Sequence, residues 1–408
     1  MKLLGLSLLI GASALSLSVL PLVAAEPDPA AILETYADIA LAGYEDALVA
    51  ARALDKAADA LIADPSDETL TGAREAWRAA RPAFLETAVF RFGNPIVDVW
   101  QGRVDGWQLD EGLIDYVDAS YGEEREGNPL YAANVIANTT LVLDGAEVDA
   151  RDLTPAFLAD TLHKAGGVEA NVATGYHAIE FLLWGQDLNG NSAGAGKRPL
   201  TDYSEDEHAA RRGQYLGAAT DLLVADLEEM VANWRGDGAA RLSLEERGLA
   251  AILTGMGALS TGELAGSKEL ALPSGEPDLE HDAFSDNTHI SLLHEAIGVR
   301  NVYLGRYERT NGRVVDGPSL SEMVAARDPS LDTDMRGMID DSIARLEVLA
   351  DRARGGEAFD QMIGQGNAAG NAIVQSAIDG LVVQTGGIER VAELLGIDGV
   401  TLEGGDSR

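Results

Sequence analysis

The sequence predicts an all-α protein built as two antiparallel helical bundles, each with enough helices for a four-helix bundle, and three observations carry the prediction. Apolar residues recur at helical spacing along most of the 408 residues. Helix-start signals sit ahead of several of these runs. No segment alternates apolar and polar residues between hairpin turns, as a sustained strand would.

In chain order the pattern gives helices over 31–63, 70–92, 132–143 and 168–184. A capping box at Ser204-Glu205-Asp206-Glu207 precedes the helix 209–234. The polar, glycine-rich break Arg235-Gly236-Asp237-Gly238 then divides the chain into domains 26–235 and 239–408. Beyond it, Ser243 with Glu246 marks 244–264, Ser285-Asp286 caps 287–303, and two further helices cover 335–354 and 368–395. The glycine-rich loop 189–196 is a turn, since it lacks the Lys-Ser/Thr of a phosphate loop and the glutamate of a calcium loop.

Residues 1–25 read as a cleaved signal peptide: Lys2, an apolar run, and the small-residue ending Val23-Ala24-Ala25 before Glu26. The expectation is an exported, soluble mature chain. Cysteine is absent, which excludes disulfides, thiolate metal sites and lipid attachment through a cysteine. A net charge of -37 disfavours nucleic acid and anionic lipid, both of which are bound through Lys and Arg, and favours cations.

Three clusters carry chemistry. In Gly175-Tyr176-His177-Ala178-Ile179-Glu180-Phe181, His177 and Glu180 share one face of an otherwise oily helix, with Glu169 three turns earlier in the same direction. A buried imidazole and carboxylate need a hydrogen bond, an ion pair or a metal. The zinc-peptidase patterns require a second histidine, but Phe181 follows Glu180. A di-iron bundle needs two Glu-x-x-His helices, and the single example, Glu205 to His208, is explained by the capping box. The second cluster, 280–289, gathers His281 and His289 among acids. The third, 91–95 with 100–103 and 107–112, is a loop holding Trp100 and Trp107.

These blocks resemble the imelysin-like family, and most closely its iron-regulated protein A branch. Gly175-x-His177-x-x-Glu180 is similar to the family signature. Phe284 to His289, Asn301 to Tyr307, Gly93-Asn94-Pro95, 109–116 and Gly262-Glu263-Leu264-Ala265-Gly266 resemble its other blocks. Two positions depart from the pattern: Ala88, where glutamate is common, and Asp282-Ala283, where Ser-Cys is expected. The resemblance implies a cleft between the two bundles, faced by the His-x-x-Glu helix. It also implies a periplasmic or outer-membrane location and a link to iron acquisition. On that basis His177 and Glu180, with Glu263, Asp286 and His289 from the second domain, are expected to hold a divalent or ferric ion, iron or zinc. The expected partners are that ion or an iron-bearing ligand, and iron-uptake components at the membrane, with no nucleic acid. The alternative is a metallopeptidase using the same His-x-x-Glu site.

Overall fold

The computed structural model describes residues 26–143, 145–266, 275 and 280–402, so the leader assigned to 1–25 lies outside the described residues. With 64 % helix against 4 % strand, the fold is all-α.

Helix α1 (Pro29–Ala63) starts where Asp28 accepts a hydrogen bond from Ala30 N and proline fills the first turn. Its small buried face, with Ala40, Ala47, Ala51 and Ala58, lets α2 (Asp67–Leu85) and α7 (Ala209–Trp234) lie close along it. A Ser66–Thr69 capping box opens α2. Between them come α3 (Pro95–Val104), a hairpin of β1 (Thr140–Leu143) and β2 (Ala146–Asp149), the single turn α4 (Pro155–Phe157), α5 (Gly175–Trp184) and the short α6 (Thr201–Ser204). Helix α5 packs against both α2 and α7.

After the glycine break come α8 (Ala239–Arg247), α9 (Leu249–Ala258) and a π-helical stretch, Leu259–Gly266. Helix α10 (Thr288–Leu304) packs on α2, and a second hairpin, β3 (Arg306–Glu308) with β4 (Val314–Asp316), rests on α1. The chain continues through α11 (Leu320–Arg327), α12 (Pro329–Arg354), α13 (Phe359–Ile363) and α14 (Ala368–Leu395), with α12 and α14 paired. One apolar core takes side chains from Ile32 to Ala392, on both sides of 235–238. Among the described residues no helix is long and apolar enough to cross a membrane.

Several local expectations are corrected. Residues 132–139 form turns that run into β1, and 168–174 is loop, so Glu169 is not on the helix of His177. It pairs instead with Lys164. Gly166 and Gly167 adopt positive φ, and the Asn171 amide bonds Ala165 O, which together turn the chain before α5. The box at Ser204 is not formed: Asp206 accepts from His208 N in a tight turn, and α7 starts at Ala209. Ser243 lies inside α8, while Gly248 at φ +62 splits the expected 244–264 helix.

Candidate metal centre

Gly175 sets the position of α5. It opens the helix at φ +82, and a Cβ there would lie 2.2 Å from Val104 O, so the residue must be glycine for α5 to abut the end of α3. Trp77 Nε1 of α2 donates to Tyr176 O at 2.9 Å and fixes the other side. The first turn of α5 is thereby held between α2 and α3, and His177 points into the space between them.

There it meets charge from both halves of the chain. His177 Nδ1 lies 3.1 Å from Glu180 Oε2 and 3.8 Å from Asp282 Oδ1, and Nε2 lies 3.3 Å from Asp105 Oδ1 without closing a hydrogen bond. Asp105 is the residue that ends α3. The guanidinium of Arg81, on α2, bridges Asp105 Oδ1 at 2.5 Å and Asp282 Oδ1 at 2.9 Å. Its cation is flanked by the rings of Tyr176 and Trp77, 5.0 and 5.5 Å from their centroids. The His281 ring lies edge-on between His177 and Trp107, with centroids 4.9 and 5.4 Å away.

The turn 280–287 serves this centre rather than the helix it precedes. Ser285 N donates to Glu180 Oε1 at 2.9 Å, and Asn287 Nδ2 and Ser291 Oγ donate to Asp282 Oδ2. Asn287 is the N-cap of α10 but makes no side-chain cap bond. Of the cap residues read from the sequence, Ser285 is taken up by the site through its backbone N–H, while Asp286 lies outside it.

None of Arg81, Asp105, His177, Glu180, His281 and Asp282 is more than 8 % exposed. Burial lowers the pKa of His177, but the facing carboxylates of Asp105 and Glu180 outweigh it and push it up to about 9. Burial pushes His281 down to about 3, so its imidazole is neutral and keeps a lone pair. Burial raises Asp105 and Asp282, yet Arg81 beside them holds both carboxyls below the usual range. Glu180 is raised, by burial first.

Two overlapping sets of donors result, Asp105 with His177 and His281, and His177 with Glu180 and Asp282. Within each set one ligand atom per residue lies within 4.8 Å of the others. Mixed imidazole nitrogen and carboxylate oxygen suits iron or zinc. The neutral imidazole of His281 offers a lone pair as it stands, and His177 would ligate by giving up its proton, with the carboxylates of Asp105, Glu180 and Asp282 beside it, so the residues present fit a metal.

The family model for imelysin matches residues 40–387. The chain belongs to the imelysin family. Two solved imelysin-fold structures are similar to it. An iron-regulated protein A precursor from Parabacteroides distasonis ATCC 8503 shows 17 % identity and a TM-score of 0.65, over 91 % of this chain and 96 % of that one. An imelysin-like protein from Psychrobacter arcticum 273-4 shows 15 % identity and a TM-score of 0.57, over 91 % and 98 %. No curated protein matches in sequence. At these identities the likeness speaks for the fold alone, and in this chain Gly175-x-His177-x-x-Glu180 forms the first two turns of α5.

Of the residues expected to hold metal, His177 and Glu180 sit together in the centre. Glu263 lies in the π-helical stretch, 3.6 Å from Arg91 Nη1, and belongs to none of the donor groups among the described residues. Asp286 joins a separate group with Glu280 and Asp360. His289 stands in the first turn of α10, its Nδ1 without a partner, and burial lowers its pKa to about 4. Sequence reasoning did not single out Arg81 or Asp105. The signal was an arginine on the apolar face Trp77-Ala80-Phe84 of α2, where a lone cation requires buried anions.

Proposed function

We propose that this imelysin is an exported protein of iron acquisition that holds a metal ion, iron or zinc, or an iron-bearing ligand, in a cleft between its two helical bundles. The observation that carries the reading is the pair of buried donor sets sharing His177, supplied by α3 and α5 on one side of the glycine break and the 280–287 turn on the other. Asp105, His177 and His281, supported by Glu180 and Asp282, are the residues that would hold the ion. The iron-regulated name of the Parabacteroides relative and the net charge of -37 support the iron link and the affinity for cations.

Burial favours holding over hydrolysis. A metallopeptidase needs an open coordination position and a free base beside it. Here Glu180 is already engaged by His177 and by Ser285 N, and it is 0 % exposed. Equilibrium dialysis of the untagged mature chain against ferrous, ferric and zinc ions tests the reading. His177→Ala and Glu180→Ala are expected to lose uptake while keeping helical circular dichroism. Equal uptake by all three proteins would leave the pair structural, and turnover of an unfolded protein substrate by the wild type would restore the peptidase.

A further inference from the structure

A second group of acids shares the 280–287 turn with the histidine centre. Glu280 and Asp286, at the two ends of the 280–287 turn, and Asp360, on α13, each bring a carboxylate oxygen to within 4.8 Å of the other two. Glu280 is 3 % and Asp360 1 % exposed. Among the described residues Oε1 of Glu280 and Oδ1 of Asp286 have no hydrogen-bond partner, and the carboxylate of Asp360 meets only the backbone N–H groups at the start of its own helix. Buried carboxylate oxygens are nearly always satisfied, and three carboxylates that each bring an oxygen to one spot, with oxygens left over unpaired, call for a common partner. The backbone around them is fixed: Asn191 Nδ2 donates to Asp360 O at 2.8 Å, and Arg78 Nη2 to Ser285 O at 3.1 Å.

The geometry points to a second cation site in this protein, made wholly of oxygen and taking a hard divalent ion of the calcium class through Glu280, Asp286 and Asp360. Calcium binds oxygens at about 2.3–2.6 Å, so two oxygens on one ion stand at most roughly 5 Å apart, the spread seen here. No nitrogen donor belongs to this group, which separates its preference from that of the His177 centre. Asp286 thus serves a different ion from the one for which its place in the sequence cluster suggested it. The inference does not depend on metal at His177.

The test is calcium titration calorimetry on the full mature chain stripped with chelator, with thermal melts in parallel. The wild type and His177→Ala are expected to bind one calcium ion and to melt higher with calcium than without. Asp360→Asn and Glu280→Gln are expected to bind at least about tenfold more weakly, since losing a ligand costs no less than losing a group that supports one. The melting temperature of Asp360→Asn should no longer respond to calcium, and both carboxamide variants should keep their zinc and iron uptake. No calcium uptake by the wild type, or undiminished uptake in both carboxamide variants, would overturn the site. If Asp360→Asn does not fold, Glu280→Gln decides alone.

Discussion

Arg81 is fully buried between Asp105 and Asp282, so its loss leaves two carboxylates inside the protein without a counter-charge. Arg81→Met should lower unfolding stability by about 3–5 kcal/mol, the usual cost of breaking a buried pair from one side. Arg81→Lys should recover only part of this, because a single ammonium lacks the fork that reaches two anions at once. Urea denaturation of the three proteins checks both. Gly175→Ala places a methyl group where Val104 O already stands and forces a side chain into positive φ. An increase in the unfolding rate and a stability loss of about 2 kcal/mol or more are expected. At this scale the sequence reveals His177 and Glu180, since polar residues stand out in an oily helix. It hides Asp105 and Asp282, whose importance comes from a guanidinium 24 and 201 residues away.

Helices whose apolar stripe faces a long neighbour were legible nearly to the residue, as with α7 over 209–234 and α14 over 368–395. The segments 132–143 and 168–174 were not, because side-chain amides decide them: Asn128 bonds both Asp110 and Asn171, and Asn171 bonds Ala165 O. Periodicity does not register such bonds. The entry to α5 carries a pH prediction. His163 Nδ1 accepts from Ala173 N at 3.4 Å and faces Thr174 Oγ1 at 3.1 Å, while burial pushes its pKa down to about 4. A histidine neutral in the folded state and protonated in the unfolded one contributes stability above about pH 6.5, lost as pH falls towards 4. Chemical denaturation between pH 7 and 4 should therefore show a shallower acid loss in His163→Gln than in the wild type. At the start of α12, Asp328 accepts from Ser330 N and Leu331 N. Asp328→Ala should cost about 1 kcal/mol, measured the same way.

Over the whole molecule 67 acidic side chains face 30 basic ones. Self-repulsion of that size opposes the compact state and is screened by salt, so the melting temperature should rise as sodium chloride goes from about 0.01 to 0.15 M. A flat or falling curve would mean that paired charges, not repulsion, set the balance. The ion pair between Arg81 and Asp282 has a kinetic consequence of its own. It joins residues 201 positions apart, and contacts of such separation form late, after the loop between them has closed. While the chain is being synthesised, Arg81 therefore lacks one of its two anions until the 280–287 turn has emerged, and α2 cannot bury the face that carries Arg81 with full compensation. An amino-terminal stretch kept open in this way completes its folding only once the second half of the chain has been made, so the two halves mature together.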